Sequence, residues 1–257
     1  MNRNAAAFDE STQEQTTVHK TAITRYLNKE YNRVGSAYLY KMLDKNFTTS
    51  PAAIVRFMQL PLDRKINRIL KRTIDIILSV IVIITVLSWL IPLIAILLKA
   101  TSRGPVFFLQ KRSCQHGAIF TCIKFRSMYV NKEADILPAT ENDTRITPLG
   151  RIMRKRFIDE LPQFFNVLWG DMSVIGPRPH MLAETMKFEG QVPYYKYREK
   201  VKPGITGLSQ IMGLEGAADT TQKIKDRVEV DIFYLRHWTL KLDGVILYRT
   251  ICKMAGL

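Results

Sequence analysis

Ile76–Leu98 reads IILSVIVIITVLSWLIPLIAILL: 23 residues without a charge, of which only Ser79, Thr85, Ser88 and Pro92 fall outside the hydrophobic class. As an α-helix rising about 1.5 Å per residue the run would be roughly 34 Å long, enough for the hydrocarbon core of a bilayer. Soluble core helices rarely extend so far without a charge, and a signal peptide would lie at the N-terminus with a small-residue cleavage pattern behind it. The run therefore reads as a membrane segment.

On either side of it, Arg64, Lys65, Arg68, Lys71 and Arg72 precede, and Lys99, Arg103, Lys111 and Arg112 follow. A single crossing calls for a basic side and a less basic side, and these flanks are nearly equal. Both stay in the cytoplasm if the segment enters one leaflet, bends and returns. Pro92, one turn after Ser88, supplies a bend, because a mid-helix proline removes a backbone hydrogen bond and crowds the carbonyl four residues back. The expectation is a re-entrant helical hairpin with the soluble mass on the cytoplasmic face. Upstream, Leu62, Ile66, Ile69, Leu70 and Ile74 recur at helical spacing among the cations, the pattern of an amphipathic helix lying among lipid headgroups.

The whole chain has 257 residues and a net charge of +15. Nearly half of that excess lies in residues 61–112, around the apolar run. Nucleic acid, anionic lipid and phosphorylated substrate all attract such a surplus, but its placement favours membrane lipids, and no nucleic-acid partner is expected. Hydrophobic residues at 47% exclude a disordered acidic tail, and Cys114, Cys122 and Cys252 exclude a disulfide scaffold.

The organisation expected is an N-terminal helical appendage over 1–60, which could serve a homodimer; an interfacial helix and membrane helix over 61–103; and a cytoplasmic domain over 104–257. The fold class is α+β, mainly helical. Val106–Gln110 and Ile119–Phe125 read as a small β-hairpin turning at Gln115-His116-Gly117. A basic helix is expected over Thr147–Phe157, an apolar one over Leu161–Trp169, and helix again from Gln222 to Met254, interrupted near Trp238–Lys241. Gly204-Ile205-Thr206-Gly207 reads as a turn.

The densest polar constellation runs from Arg145 to Arg178 and sets Arg145, Arg151, Arg154, Lys155, Arg156 and Arg178 against Asp159, Glu160 and Asp171. Neighbours on a helix point about 100° apart, so Asp159 and Glu160 cannot act as a symmetric pair on one atom. They can divide labour, one attacking phosphorus while the other holds a hard divalent cation such as magnesium. They can equally be first-turn acids of the following helix. Arginine forks suit the non-bridging oxygens of phosphoryl transfer. Residue types alone leave both readings open, together with a single-span protein carrying a basic, non-enzymatic binding domain.

Lys71-Arg72, Asp75, Gly104-Pro105-Val106-Phe107-Phe108, Gln110, Arg112 and Lys124-Phe125-Arg126-Ser127-Met128 resemble the bacterial sugar transferase family, the monotopic polyprenyl-phosphate phosphoglycosyl transferases. The resemblance continues through Asp143, Arg145, Thr147, Gly150, Asp159-Glu160-Leu161-Pro162-Gln163, Asn166-Val167-Leu168, Gly170-Asp171-Met172-Ser173, Gly176-Pro177-Arg178-Pro179, Pro203-Gly204-Ile205-Thr206-Gly207 and Gln210, and so covers about 66–257. Cys114 stands where the family often has glycine, and Ser88 is not followed directly by proline.

The resemblance implies transfer of a sugar-1-phosphate from a UDP-sugar to undecaprenyl phosphate with release of UMP. This would be the first step of exopolysaccharide, capsule or O-antigen synthesis at the cytoplasmic face of the bacterial inner membrane. It implies Asp159 as the nucleophile of a covalent sugar-phosphate intermediate, Glu160 as the Mg2+ ligand, and Lys124, Arg126, Arg145, Arg154, Asp171 and Arg178 around the substrate phosphates.

Overall fold

The computed structural model describes residues 59–131, 133–140, 143–216 and 220–256; the expected appendage lies outside them but for its last two residues. The apolar run sits in a helical stretch of 37 residues, Lys65–Thr101. It comprises α1 (Lys65–Val82), a π-helical turn Ile83–Leu87 and α2 (Ser88–Thr101). The irregularity thus falls one turn before the expected bend, and Pro92 lies inside α2. Proline lacks the N–H that would bond Ser88 O, one turn back, and the π turn ends just before that residue. Side chains back-bond to other carbonyls of the stretch: Thr85 Oγ1 donates to Ile81 O at 2.8 Å, Ser88 Oγ to Ile84 O at 2.7 Å and Trp89 Nε1 to Thr85 O at 2.9 Å.

α1 has two unlike faces. Ile66, Ile69, Ile74, Ile77 and Ile81 are exposed, whereas Asp75 and Ser79 are buried. The cations of this stretch do not all turn outward as expected. Lys71 Nζ reaches Asp243 Oδ2 at 2.7 Å, and Arg72 donates to Val167 O and Leu168 O at 2.5 and 2.9 Å. Asp75 Oδ1 accepts from Ser173 Oγ at 3.0 Å and Val174 N at 2.9 Å. Polar groups therefore fasten the helix to the protein while its aliphatic groups face away.

After α2, β1 (Phe107–Ser113) and β2 (Ile119–Phe125) pair antiparallel, Phe107 opposite Phe125 and Ser113 opposite Ile119. At the turn, His116 has φ 59° and Gly117 φ 75°. Cys114 is extended, so a side chain costs nothing where the family often has glycine. α3 (Pro148–Lys155) starts at Thr147, whose Oγ1 accepts from Gly150 N at 2.9 Å. A Cβ on Gly150 would lie 1.9 Å from Ser127 O, so only glycine lets α3 approach the chain leaving β2. α4 (Gln163–Trp169) ends at Gly170, φ 100°.

Ser173–Ile175 (β3) and Gly204–Thr206 (β4) pair in parallel. The segment expected as a turn at Gly204–Gly207 is thus mostly strand. Its glycine serves contact: a Cβ on Gly204 would sit 2.1 Å from Gly176 N. α5 (Leu182–Glu189) packs on β1, α6 (Leu208–Ile211) packs on α7 (Thr221–His237) and α8 (Leu240–Ala255), and the last two meet at the expected break.

The interior holds a buried ion pair as well as aliphatic side chains. Arg198 donates to Asp231 Oδ2 at 3.0 and 2.7 Å, and Ser209 Oγ occupies Asp231 Oδ1 at 2.9 Å. Arg198 also donates to Arg178 O at 2.6 Å, which fixes the loop between β3 and α5.

Candidate active site

The floor of the site is the turn between α3 and α4. α3 stops at Lys155, Phe157 takes a left-handed conformation (φ 56°, ψ 19°), and Ile158–Glu160 form one 3-10 turn. A bulky residue with positive φ costs on the order of 1–3 kcal/mol unless its surroundings hold it. Here they do: Lys253 Nζ lies 5.4 Å from the Phe157 ring centroid and pairs with Glu215, while Arg156 donates to Met254 O at 2.8 Å. The last turn of α8 therefore grips the turn that presents Asp159.

Asp159 and Glu160 are both buried but differently supplied. Glu160 receives Lys124 Nζ at 2.6 Å on Oε1, and Arg178 closes a fork on it, Nη2 to Oε1 at 2.7 Å and Nη1 to Oε2 at 3.1 Å. Burial alone would raise its carboxyl, but Arg178 and Lys124 hold it well below the usual carboxylate range. Among the described residues, no hydrogen bond or ion pair engages the Asp159 carboxylate. Burial and then the Glu160 charge push it up, against the pull of Lys124, Arg154 and Arg178. Neither acid caps α4, whose first residues follow Pro162 without a side-chain cap. The capping reading is thereby set aside.

A cleft of about 590 Å³ opens over the pair, within the range of small-molecule sites. Of the residues expected around substrate, Lys124, Arg154 and Arg178 line it with Asp159 and Glu160. Arg126 also lines it, yet its guanidinium donates to Arg103 O, and to Ser102 O at 3.1 Å, closing the end of α2. Arg145 and Asp171 are not among the lining residues. Arg145 embraces Asp143, Nη2 to Oδ2 at 2.7 Å, which holds the Asp143 carboxyl down at about 2. Asp171 sits past the end of α4, where its carboxylate takes Asn166 Nδ2 at 3.3 Å. The resemblance had implied these two as well; the turns on either side of the acid pair place them outside the lining.

Four further lining residues escaped the sequence reading of the constellation: Arg112, His180, Arg227 and Lys253. Arg112 donates to Gln110 Oε1 at 3.1 and 2.7 Å and also to Pro179 O. Arg227 Nη1 meets His180 Nε2 at 3.3 Å, and His180 Nδ1 meets the Tyr195 hydroxyl at 2.5 Å. Arginine can only donate, so Nε2 accepts and Nδ1 carries the proton: His180 is neutral. Arg112 stands within the motifs and His180 directly follows one, in the loop between β3 and α5; Arg227 and Lys253 are brought in by α7 and α8, for which no local spacing gave a signal.

These features mark a kind of protein: among the described residues, one helix long and apolar enough to cross a membrane, and with it a cation-rich cleft built on a buried acid pair. The chain belongs to the bacterial sugar transferase family, whose sequence profile matches residues 66–256. It is 45% identical over 189 residues to the UDP-glucose:undecaprenyl-phosphate glucose-1-phosphate transferase of Klebsiella pneumoniae, covering 73% of this chain and 40% of that one. Over 184 residues it is 42% identical to the UDP-N-acetylgalactosamine-undecaprenyl-phosphate N-acetylgalactosaminephosphotransferase of Aeromonas hydrophila, covering 71% and 43%. It is also 38% identical over 188 residues to the exopolysaccharide production protein PSS of Rhizobium leguminosarum bv. phaseoli, covering 71% and 94%. The chain thus spans about two fifths of the Klebsiella and Aeromonas relatives and nearly all of the Rhizobium one.

Proposed function

We propose that the protein is a phosphoglycosyl transferase that moves a sugar-1-phosphate from a UDP-sugar to undecaprenyl phosphate and releases UMP, initiating a surface glycan. The observation that carries this is the division within the acid pair: one carboxylate saturated by Lys124 and Arg178, its neighbour unpaired at the floor of a cationic cleft. A nucleophile must keep a lone pair free, and burial that raises a carboxyl makes the ionised form more basic.

In the proposed reaction an Asp159 oxygen bonds to the sugar-bearing phosphorus, the bridge to the second phosphorus breaks, and its electron pair leaves on UMP. An oxygen of the lipid phosphate then attacks the same phosphorus, the aspartyl–phosphorus bond breaks, and the carboxylate is regenerated. Lys124, Arg154 and Arg178 offset charge on the non-bridging oxygens, and Arg178 does so in a fixed orientation because Arg198 holds its carbonyl.

Magnesium belongs to the proposal, with Glu160 as its ligand. Among the described residues no group of three or more His, Cys, Asp or Glu could hold a metal. Glu160 and the adjacent Asp159, both buried in the cleft, offer the one or two carboxylates by which magnesium is usually held, with water and substrate phosphate to complete its shell. Glu160 would yield one oxygen now held by Lys124 or Arg178. When bound, the ion supplies positive charge to the diphosphate.

The re-entrant topology, on the cytoplasmic face of the inner membrane, is part of the same reading. Asp75 and Ser102 both hydrogen-bond to the folded mass, through Ser173 and Arg126. A straight helix would put those residues about 40 Å apart, on opposite sides of a bilayer. One folded body cannot occupy both sides, which supports a return at the π turn and Pro92.

Asp159→Asn should abolish UMP release and prevent trapping of a sugar-phosphate adduct on the protein, scored by intact mass. Full turnover in that variant would remove Asp159 as nucleophile. A panel of UDP-sugars assayed for UMP release would identify the donor.

A further inference from the structure

We propose that the apolar wall formed by Tyr129, Val130, Leu137 and Pro138 at the mouth of the cleft seats the isoprenoid end of a polyprenyl phosphate acceptor. This rests on the reaction proposed above and assigns its second substrate a place. All four residues line the cleft that contains Asp159, yet Val130 is 68% exposed and Leu137 50% exposed. Aliphatic groups so open to solvent beside a buried charged site suit a ligand with an apolar part and an anionic part.

The position of the wall names the apolar part. Gly104 is where the chain leaves α2, and a Cβ there would lie 2.7 Å from Val130 Cγ2. Arg126 ties the same exit to the end of β2 through Ser102 O and Arg103 O. The wall therefore continues the surface of the long apolar helix into the cleft, along the path of a chain that stays in lipid while its head reaches Asp159. The wall is also braced to face outward. Gln110 Nε2 donates to Ala134 O at 2.9 Å, and Arg145 Nη2 lies 3.4 and 3.5 Å from Leu137 O and Pro138 O. Arg145 thereby positions this loop.

The anionic part has its own partners. Among the described residues Arg154 bonds only to Ser127 Oγ, at 3.2 Å, and neither Arg154 nor Lys155 has a carboxylate partner. Both lie on α3, which packs on α2, so free cations stand on the membrane-helix side of Asp159. A nucleoside would need donors and acceptors matched to its base, and this wall offers mainly carbon.

The test compares the unaltered protein with a Val130→Ser, Leu137→Ser double variant in nanodiscs, using undecaprenyl phosphate and the short, water-soluble citronellyl phosphate as acceptors. KM for the UDP-sugar is measured in parallel. The ratio of kcat/KM for the long over the short acceptor should fall about tenfold in the variant, the loss expected for two buried aliphatic contacts. An unchanged ratio overturns the proposal, as does a rise confined to KM for the UDP-sugar, which would give the wall to the nucleotide. Val130→Leu with Leu137 intact should keep the ratio of the unaltered protein; if it lowers it as the serine pair does, apolar contact is not what the wall supplies. Failure of the unaltered protein to release UMP with any donor sinks the transferase reading itself, and the acceptor assignment falls with it.

Discussion

Asp159 and Glu160 are neighbours in sequence with the same chemistry, and the structure drives them in opposite directions because only one meets cations at hydrogen-bond distance. Arg178 matters through its shape as well as its charge. Arg178→Lys keeps the charge and loses the fork on Glu160, so kcat/KM for UMP release should fall about tenfold to a hundredfold while the protein stays folded. Equal activity of the lysine variant would mean that orientation of Glu160 is unimportant. His180 offers a readout independent of catalysis. Burial, and then Arg198 and Arg227, pull its pKa well below the usual imidazole value. The unfolded chain takes up that proton near pH 6.5, whereas the folded chain does not. The contribution is therefore complete above pH 6.5 and is lost as pH falls below it, by up to about 1.4 kcal/mol per pH unit. Urea denaturation at pH 7.5 and 5.5 should show the drop, and His180→Gln should reduce it.

Among the elements, α8 is the one whose work is least local. Its last turn reaches the strained residue two positions before Asp159 through Lys253, and Arg156 returns the contact at Met254 O. Lys253→Met removes the Glu215 pair and the cation over the Phe157 ring. Turnover should fall several-fold with KM for the UDP-sugar nearly constant, because the geometry of the nucleophile is disturbed rather than donor binding. Lys253→Arg should restore most of it. A change carried wholly by KM would place Lys253 on the substrate instead. The longer helices were legible from run length and pattern, as over Thr147–Phe157, Leu161–Trp169 and Gln222–Met254, whereas α5 and α6 were not read. β3 and β4 were not, since three-residue strands are too short to show alternation and Gly204 resembles a turn until Gly176 is seen against it.

For the molecule as a whole, the decisive contacts join α1 to the body that follows it. Asp75, Lys71 and Arg72 tie it to β3, to Asp243 and to the end of α4. Asp243 in turn takes Tyr234 and Trp238, so the helix is wired to the α7–α8 junction. Asp75→Ala would leave the buried Val174 N–H without its acceptor, a cost of about 1–3 kcal/mol. Thermal unfolding in detergent should show a lower midpoint, and an unchanged midpoint would mean that the tie contributes nothing.

Hydrophobic run length, alternation and contiguous motifs are properties of neighbours along the chain, so the amino-acid order was enough for the apolar helix, the β-hairpin and the family. It marked the region of the cations, though Arg145 and Asp171, near the acid pair in sequence, fall outside the residues that line the cleft. Which acid is paired and which is free was settled only in three dimensions, since Lys124 and Arg178 come from a strand and a distant loop. Electrostatics acts through space over a few ångströms, and folding alone sets those distances.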